Sequence, residues 1–135
     1  MRIIVDTNVI LDIFLKREPF FADSYQALRK AIEVDTECLI SASAATDVFY
    51  MLRKSFKSAA KAKETLDQLS QIITFADVLS VDIHTALMRA MPDFEDAVVD
   101  AVAERNGVDY IMTRNIRDFA GSVAQVITPT EFLKK

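Results

Sequence analysis

The chain has 135 residues, 51 % hydrophobic and 27 % charged, with a formal net charge of −4. That length suits one domain over residues 1–135 with a full apolar core, while one cysteine, two glycines and three prolines exclude a disulfide framework, a Cys-rich zinc site and long flexible linkers. No stretch approaches the roughly 18 apolar residues of a membrane span, and the apolar opening Met1–Val5 is too short for a signal peptide, so a cytoplasmic protein with no membrane partner is expected.

In chain order, Arg2–Val5 is β-branched and stops at Asp6-Thr7-Asn8, which reads as a buried strand ending in a polar loop. A short helix at Val9–Leu15 and a longer one at Phe20–Val34 follow, the latter with Phe21, Tyr25, Leu28 and Ile32 on one face. Glu37–Ile40 is a second strand, and its Cys38 reads as a buried structural thiol. Ser41 or Ser43 can cap the next helix, whose apolar side carries Ala45, Val48, Phe49, Leu52 and Phe56.

Ser58–Ile72 reads as a helix with Ala62, Leu66 and Leu69 inward, and Ile73–Leu79 as the source of another strand. Asp82–Met91 is helical and Pro92 ends it. Asp93-Phe94-Glu95-Asp96 opens a helix with the stripe Phe94, Ala97, Val98, Ala101 and Val102, closed by Gly107. Tyr110–Met112 is a buried strand running into Thr113-Arg114-Asn115. A strand at Ala124–Ile127 and a helix from Thr130 complete the chain. Short apolar strands alternating with helices imply a three-layer α/β/α sandwich around a central, mainly parallel sheet.

In such a sheet, ligands gather beyond the carboxyl ends of the strands, where the strand order reverses. Asp6 follows the first strand, and the Thr113–Asp118 loop follows the strand at Tyr110–Met112. Asp47 and Asp96 stand near the starts of helices and lie off the apolar stripes at about 100° per residue. If those helices start at the same sheet edge, Asp6, Asp47, Asp96 and Asp118 converge. Taken singly, a carboxylate in a first helical turn is also favoured by the helix dipole alone; the combination is what suggests a site. Setting those four aside leaves a neutral remainder, a scaffold compatible with a polyanionic substrate once cations fill the acidic cluster.

Four segments together resemble the PIN domain family: Asp6-Thr7-Asn8-Val9-Ile10-Leu11-Asp12, Ser41-Ala42-Ser43-Ala44-Ala45-Thr46-Asp47, Asp93-Phe94-Glu95-Asp96-Ala97 and Thr113-Arg114-Asn115-Ile116-Arg117-Asp118-Phe119. The resemblance runs from Asp6 to about Phe119. The chain departs from many members in having Asp47 where they carry Glu and Asn115 where they carry Asp.

The resemblance implies a metal-dependent ribonuclease that hydrolyses RNA phosphodiesters. Asp6, Asp47, Asp96 and Asp118 would be its catalytic carboxylates, with Asp6, Asp96 and Asp118 binding metal. Asn8, Thr113 and Asn115 would orient the carboxylates or the substrate phosphate, with Thr7 a weaker candidate. Hard oxygen donors without histidine or cysteine select Mg²⁺ or Mn²⁺ over zinc. Small bacterial members are commonly toxins of toxin–antitoxin pairs, similar to VapC, which implies an antitoxin partner and a homodimer.

His84, the sole histidine, reads as structural. Asp93 and Asp100 read as a solvated face, and Asp12 stands apart from the strand end. Arg53, Lys54, Lys57, Lys61 and Lys63 form a basic run that reads as solvated surface. A haloacid-dehalogenase-type phosphatase would want a second Asp where Asn8 stands, and a phospho-receiver an acidic pair near the first strand. The alternative from another class is a PIN-like module that binds RNA or protein without cutting.

Overall fold

The computed structural model describes residues 1–135. Five strands form one sheet in the order β3-β2-β1-β4-β5, namely Thr74–Ala76, Glu37–Ser41, Arg2–Val5, Tyr110–Met112 and Val126–Ile127. Every neighbouring pair is parallel, with Ile3 opposite Cys38 on one side and Tyr110 on the other. The helices are α1 (Thr7–Phe14), α2 (Phe21–Glu33), α3 (Ala42–Phe56), α4 (Ala59–Ser70), α5 (Ser80–Leu87), α6 (Phe94–Arg105) and α7 (Pro129–Leu133), with a 3₁₀ turn at Ile116–Phe119.

The period-two alternation of a strand divides the core. Ile3, Val5, Cys38, Ile40, Met112 and Ile127 face Val9, Ile10, Ala27, Val48, Leu52 and Leu69 in one cluster. Ile4, Leu39, Ala76 and Ile111 face Ala86, Val98 and Val102 in the other. The three-layer α/β/α sandwich is therefore present, with α5 and α6 on one face and the remaining long helices on the other. Burial pushes the Cys38 thiol up to about 11, as an inert core thiol requires. No helix is long and apolar enough to cross a membrane.

Three local expectations are corrected. In α2 the buried residues are Ser24, Ala27, Leu28 and Ala31, while Tyr25 and Ile32 are 43 % and 42 % exposed. Small side chains there let the helix approach its neighbours closely, so the larger apolar residues turn outward. The helix expected over Asp82–Met91 runs instead from Ser80 to Leu87, leaving Arg89 free to reach Asp100 at 3.3 Å. In α6 the expected stripe is replaced by continuous burial from Ala97 to Ala103, with Phe94 itself exposed. Gly107 does follow that helix in the left-handed region, at φ +61°, where a glycine is favoured.

The strand order places the reversal between β1 and β4. From β1 the chain proceeds to β2 and β3 on one side, and later to β4 and β5 on the other. The crevice outside the carboxyl ends of β1 and β4 is thus the place where this architecture gathers a ligand.

Candidate functional site

Asp6 is the residue at that crevice. Its backbone N–H donates to the Met112 carbonyl at 2.9 Å, joining the ends of β1 and β4, and it is the N-cap of α1. Its Oδ1 accepts the Thr7 N–H at 2.8 Å, and its Oδ2 accepts the Thr113 hydroxyl at 2.8 Å and the Asn8 amide at 3.2 Å. Asn8 also accepts the Arg114 N–H at 3.3 Å through Oδ1, and Thr113 Oγ1 accepts the Asn115 N–H at 3.1 Å. Thr113 is wholly buried, so this scaffold is fixed from below.

Asp96 enters from the start of α6. Asp93 caps that helix, its carboxylate accepting the Asp96 N–H at 3.0 Å. Asp6, Thr7, Ser43, Thr46, Asp47 and Asp96 line one cleft of about 290 Å³ that has no lysine, arginine or histidine in its wall. Asp47 reaches it from α3, whose N-cap Ser41 receives the Ala44 N–H at 3.1 Å. Asp118 stands on the exposed 3₁₀ turn, and its negative charge is felt at both Asp6 and Asp96.

The electrostatics follow from this crowding. Burial raises the Asp6 carboxyl above the usual range, opposed by the hydrogen bonds from Thr113 and Thr7. Asp96 is pushed up to about 7, first by burial and then by the charges of Asp6, Asp93, Asp118 and Glu95. Like charges held together disfavour ionisation unless a cation stands among them. No three of these carboxylates close into a ready cage, so an ion here would complete its shell with water, as Mg²⁺ habitually does. The donors are oxygens only, a set that fits a hard divalent cation.

The expected residues are thus distributed as follows. Asp6, Asp47 and Asp96 share the cleft, Asp118 adds its charge, and Asn8 and Thr113 hold Asp6. Asn115 supports Thr113 through its backbone N–H, and the residue helps line a separate pocket. Thr7 contributes its N–H.

Two aspartates read as peripheral prove structural. Asp12 is 0 % exposed and bound by Arg114, which donates from Nε at 2.6 Å and from Nη2 at 3.2 Å. Asp100 is equally buried, paired with Arg89 and accepting the Val123 and Ala124 N–H groups. The signal for Asp12 was available: it is the one carboxylate in the apolar helix Thr7–Phe14, one turn beyond Asn8. A carboxylate on such a face needs a partner. Glu95 also lines the cleft. His84 lies exposed on α5, away from the cleft wall.

Comparison with known proteins agrees with this fold. The family model described as PIN domain matches residues 2–117. The chain is 27 % identical over 142 aligned residues to a protein named Ribonuclease VapC1 from Aquifex aeolicus, covering 99 % of this chain and 94 % of that one. Among solved structures, VapBC2 from Rickettsia felis bound to a promoter DNA fragment superposes with a TM-score of 0.75 at 14 % identity, covering 95 % of this chain and 98 % of that one. A toxin–antitoxin complex from Klebsiella pneumoniae gives 0.70 at 22 % identity, covering 93 % and 96 %.

Proposed function

The chain belongs to the PIN domain family, and from that footing we propose that it is a metal-dependent endoribonuclease that cuts RNA as the toxin of a toxin–antitoxin pair. The observation carrying this reading is the cleft shared by Asp6, Asp47 and Asp96, in which Asp96 is raised to about 7 and no cationic side chain lines the wall. A cation would balance such crowded carboxylates, and a cation so held would attract a phosphodiester.

Asp6 and Asp96 would be the principal ligands of Mg²⁺ or Mn²⁺, with Asp118 beside them and Asp47 acting through water. Bound there, the ion would activate a water and stabilise charge on the phosphate oxygens. The chain's own residues do the positioning. Thr113 and Asn8 fix Asp6 Oδ2, and the Thr7 N–H fixes Oδ1. Asp93 anchors the backbone of Asp96 at the first turn of α6. With its carboxyl raised to about 7, Asp96 would be divided between the protonated and ionised forms near neutrality, and a bound cation would favour the ionised form. Likeness to a ribonuclease and to toxin–antitoxin complexes supports RNA as substrate and a protein antitoxin as partner, and a homodimer is the state this reading expects.

The test is cleavage of a mixed structured RNA in Mn²⁺ or Mg²⁺ and in EDTA, beside matched Asp96→Asn protein. Metal-dependent cutting that disappears in the variant supports the proposal. Absence of both cutting and metal binding in folded protein leaves a non-catalytic binding module.

A further inference from the structure

The loop after β4 serves two places. Its Thr113 hydroxyl holds Asp6, and the next two residues, Arg114 and Asn115, help line a separate pocket of about 410 Å³ with Phe20, Asp23, Ser24 and Thr130. That volume lies within the roughly 300–1,000 Å³ of small-ligand sites. The pocket adjoins the acidic cleft closely enough that the charge of Arg114 is felt at Asp6. Resting on the ribonuclease reading, we infer that this pocket receives the base of a nucleotide neighbouring the scissile phosphate, and that the base it selects is guanine.

The chemistry of the wall favours a base over a phosphate. Arg114 has its charge balanced by the buried Asp12 carboxylate, to which Nε and Nη2 are committed. A second carboxylate, Asp23, lines the same pocket and repels an anion. What remains attractive is planar and hydrogen-bonding. The Arg114 guanidinium lies 3.9 Å from the centre of the Phe20 ring, an ordered stack. Unpaired RNA bases settle on aromatic rings and guanidinium planes and are read along their edges.

The free groups then choose among bases. Asp23 Oδ2 accepts the Thr130 hydroxyl at 2.5 Å through one of its two lone pairs, so Oδ1 is open and Oδ2 can still accept a second donor. Arg114 Nη1 and the Asn115 side-chain amide have no protein partner and are available to donate. Guanine carries two adjacent N–H donors, at N1 and N2, beside the O6 acceptor. A carboxylate can take both donors while Arg114 or Asn115 donates to O6 or N7. Adenine and cytosine would set a ring-nitrogen lone pair against Asp23. Uracil offers one N–H between two carbonyls. Only guanine satisfies the carboxylate without opposing it.

The experiment titrates guanosine, inosine, adenosine, cytidine and uridine into the protein, following backbone amide NMR shifts, in wild type and in Asp23→Asn. Asp23 is exposed on α2, and a thermal melt confirms that the variant is folded; Thr130→Ala, which removes the hydroxyl that orients the carboxylate, is the second variant. Guanosine should bind at least tenfold more tightly than adenosine, with inosine between them. Asp23→Asn should erase that order, and Thr130→Ala should preserve it in weakened form. Equal binding of all five nucleosides, or a guanosine preference that survives Asp23→Asn, overturns the proposal. Cleavage of mixed RNA is scored separately. Cutting without any bias toward guanine sinks the pocket's assignment and leaves the nuclease standing; selective guanosine binding with neither cutting nor metal binding upholds guanine selection and removes the nuclease.

Discussion

Arg114 grips Asp12 with two nitrogens, Nε at 2.6 Å and Nη2 at 3.2 Å, and so ties the loop after β4 to the interior of α1. Asp12 is wholly buried while the Arg114 side chain is 23 % exposed. Removing the arginine strands a carboxylate in a dry site, and the hydroxyl of Ser24, at 3.5 Å, is a poor substitute. Arg114→Ala should therefore cost about 3–5 kcal/mol. Urea denaturation measures it through a lower midpoint at unchanged slope; a loss below about 1 kcal/mol would mean that the carboxylate had found water or a proton.

The raised carboxyl of Asp96 gives the metal-free protein a distinctive pH dependence. Between the ordinary value of 3.8 and about 7, the folded chain keeps a proton that the unfolded chain has released. Stability in EDTA thus falls as pH rises across that window. Asp96→Asn should flatten the fall and stabilise the metal-free protein at pH 8 by about 1–2 kcal/mol, allowing for solvent screening in an open cleft. Thermal melts of both proteins in EDTA from pH 4 to pH 8 are the measurement; parallel curves refute it.

Thr113→Val keeps the shape of the side chain and deletes the hydroxyl that orients Asp6 Oδ2. A supporting group of this kind typically carries a 10–100-fold share of metal affinity or activity, and about that loss of RNA cleavage is expected. Stability should fall by only about 1–2 kcal/mol, since Asn8 still donates to the same oxygen. Thr113→Ser restores the donor and should recover most of the activity. Rates and melting temperatures for the pair separate positioning from folding.

Away from the cleft, Asp82 is held below the usual carboxylate range, chiefly by the Arg105 hydrogen bonds and further by the Leu79 N–H. The stabilisation is complete above the unfolded value of 3.8 and is lost as pH falls through the lower folded one. Asp82→Asn should cost about 1.5–3 kcal/mol at neutral pH and less at pH 2, below the unfolded value of 3.8, where part of that stabilisation has gone. Denaturation at those two pH values decides it.

The sequence carried the architecture because the strands are short and uniformly apolar: Ile3 and Ile111 sit where a strand buried on both faces demands. The carboxylates Asp6, Asp47 and Asp96 were legible for the same reason, each placed by the end of a strand or the start of a helix. Side-chain facing was less legible. In α2, the small residues Ser24, Ala27 and Ala31 carry the contact, and a pattern weighted by bulk points instead to Tyr25 and Ile32. In α6 there is no polar side to contrast with, so Asp100 looked solvated although Arg89 and two backbone N–H groups bury it. Asp12 could be read as a carboxylate in need of a partner, but the identity of that partner was hidden, because Arg114 lies 102 residues away, a separation that no local window spans.

That same distance has a consequence for synthesis. Asp6 is made at the very beginning, yet the Met112 carbonyl and Thr113 hydroxyl that fix it lie 106 and 107 residues on. Chains emerge N-terminal end first, at about 5–20 residues per second, and a central parallel strand cannot be inserted before it exists. A ribosome making this protein therefore carries, for most of the translation time, a nascent chain with Asp6 already made and the cleft around it unassembled. An RNA-cleaving product would be harmless to the machine that makes it until nearly the last strand is out.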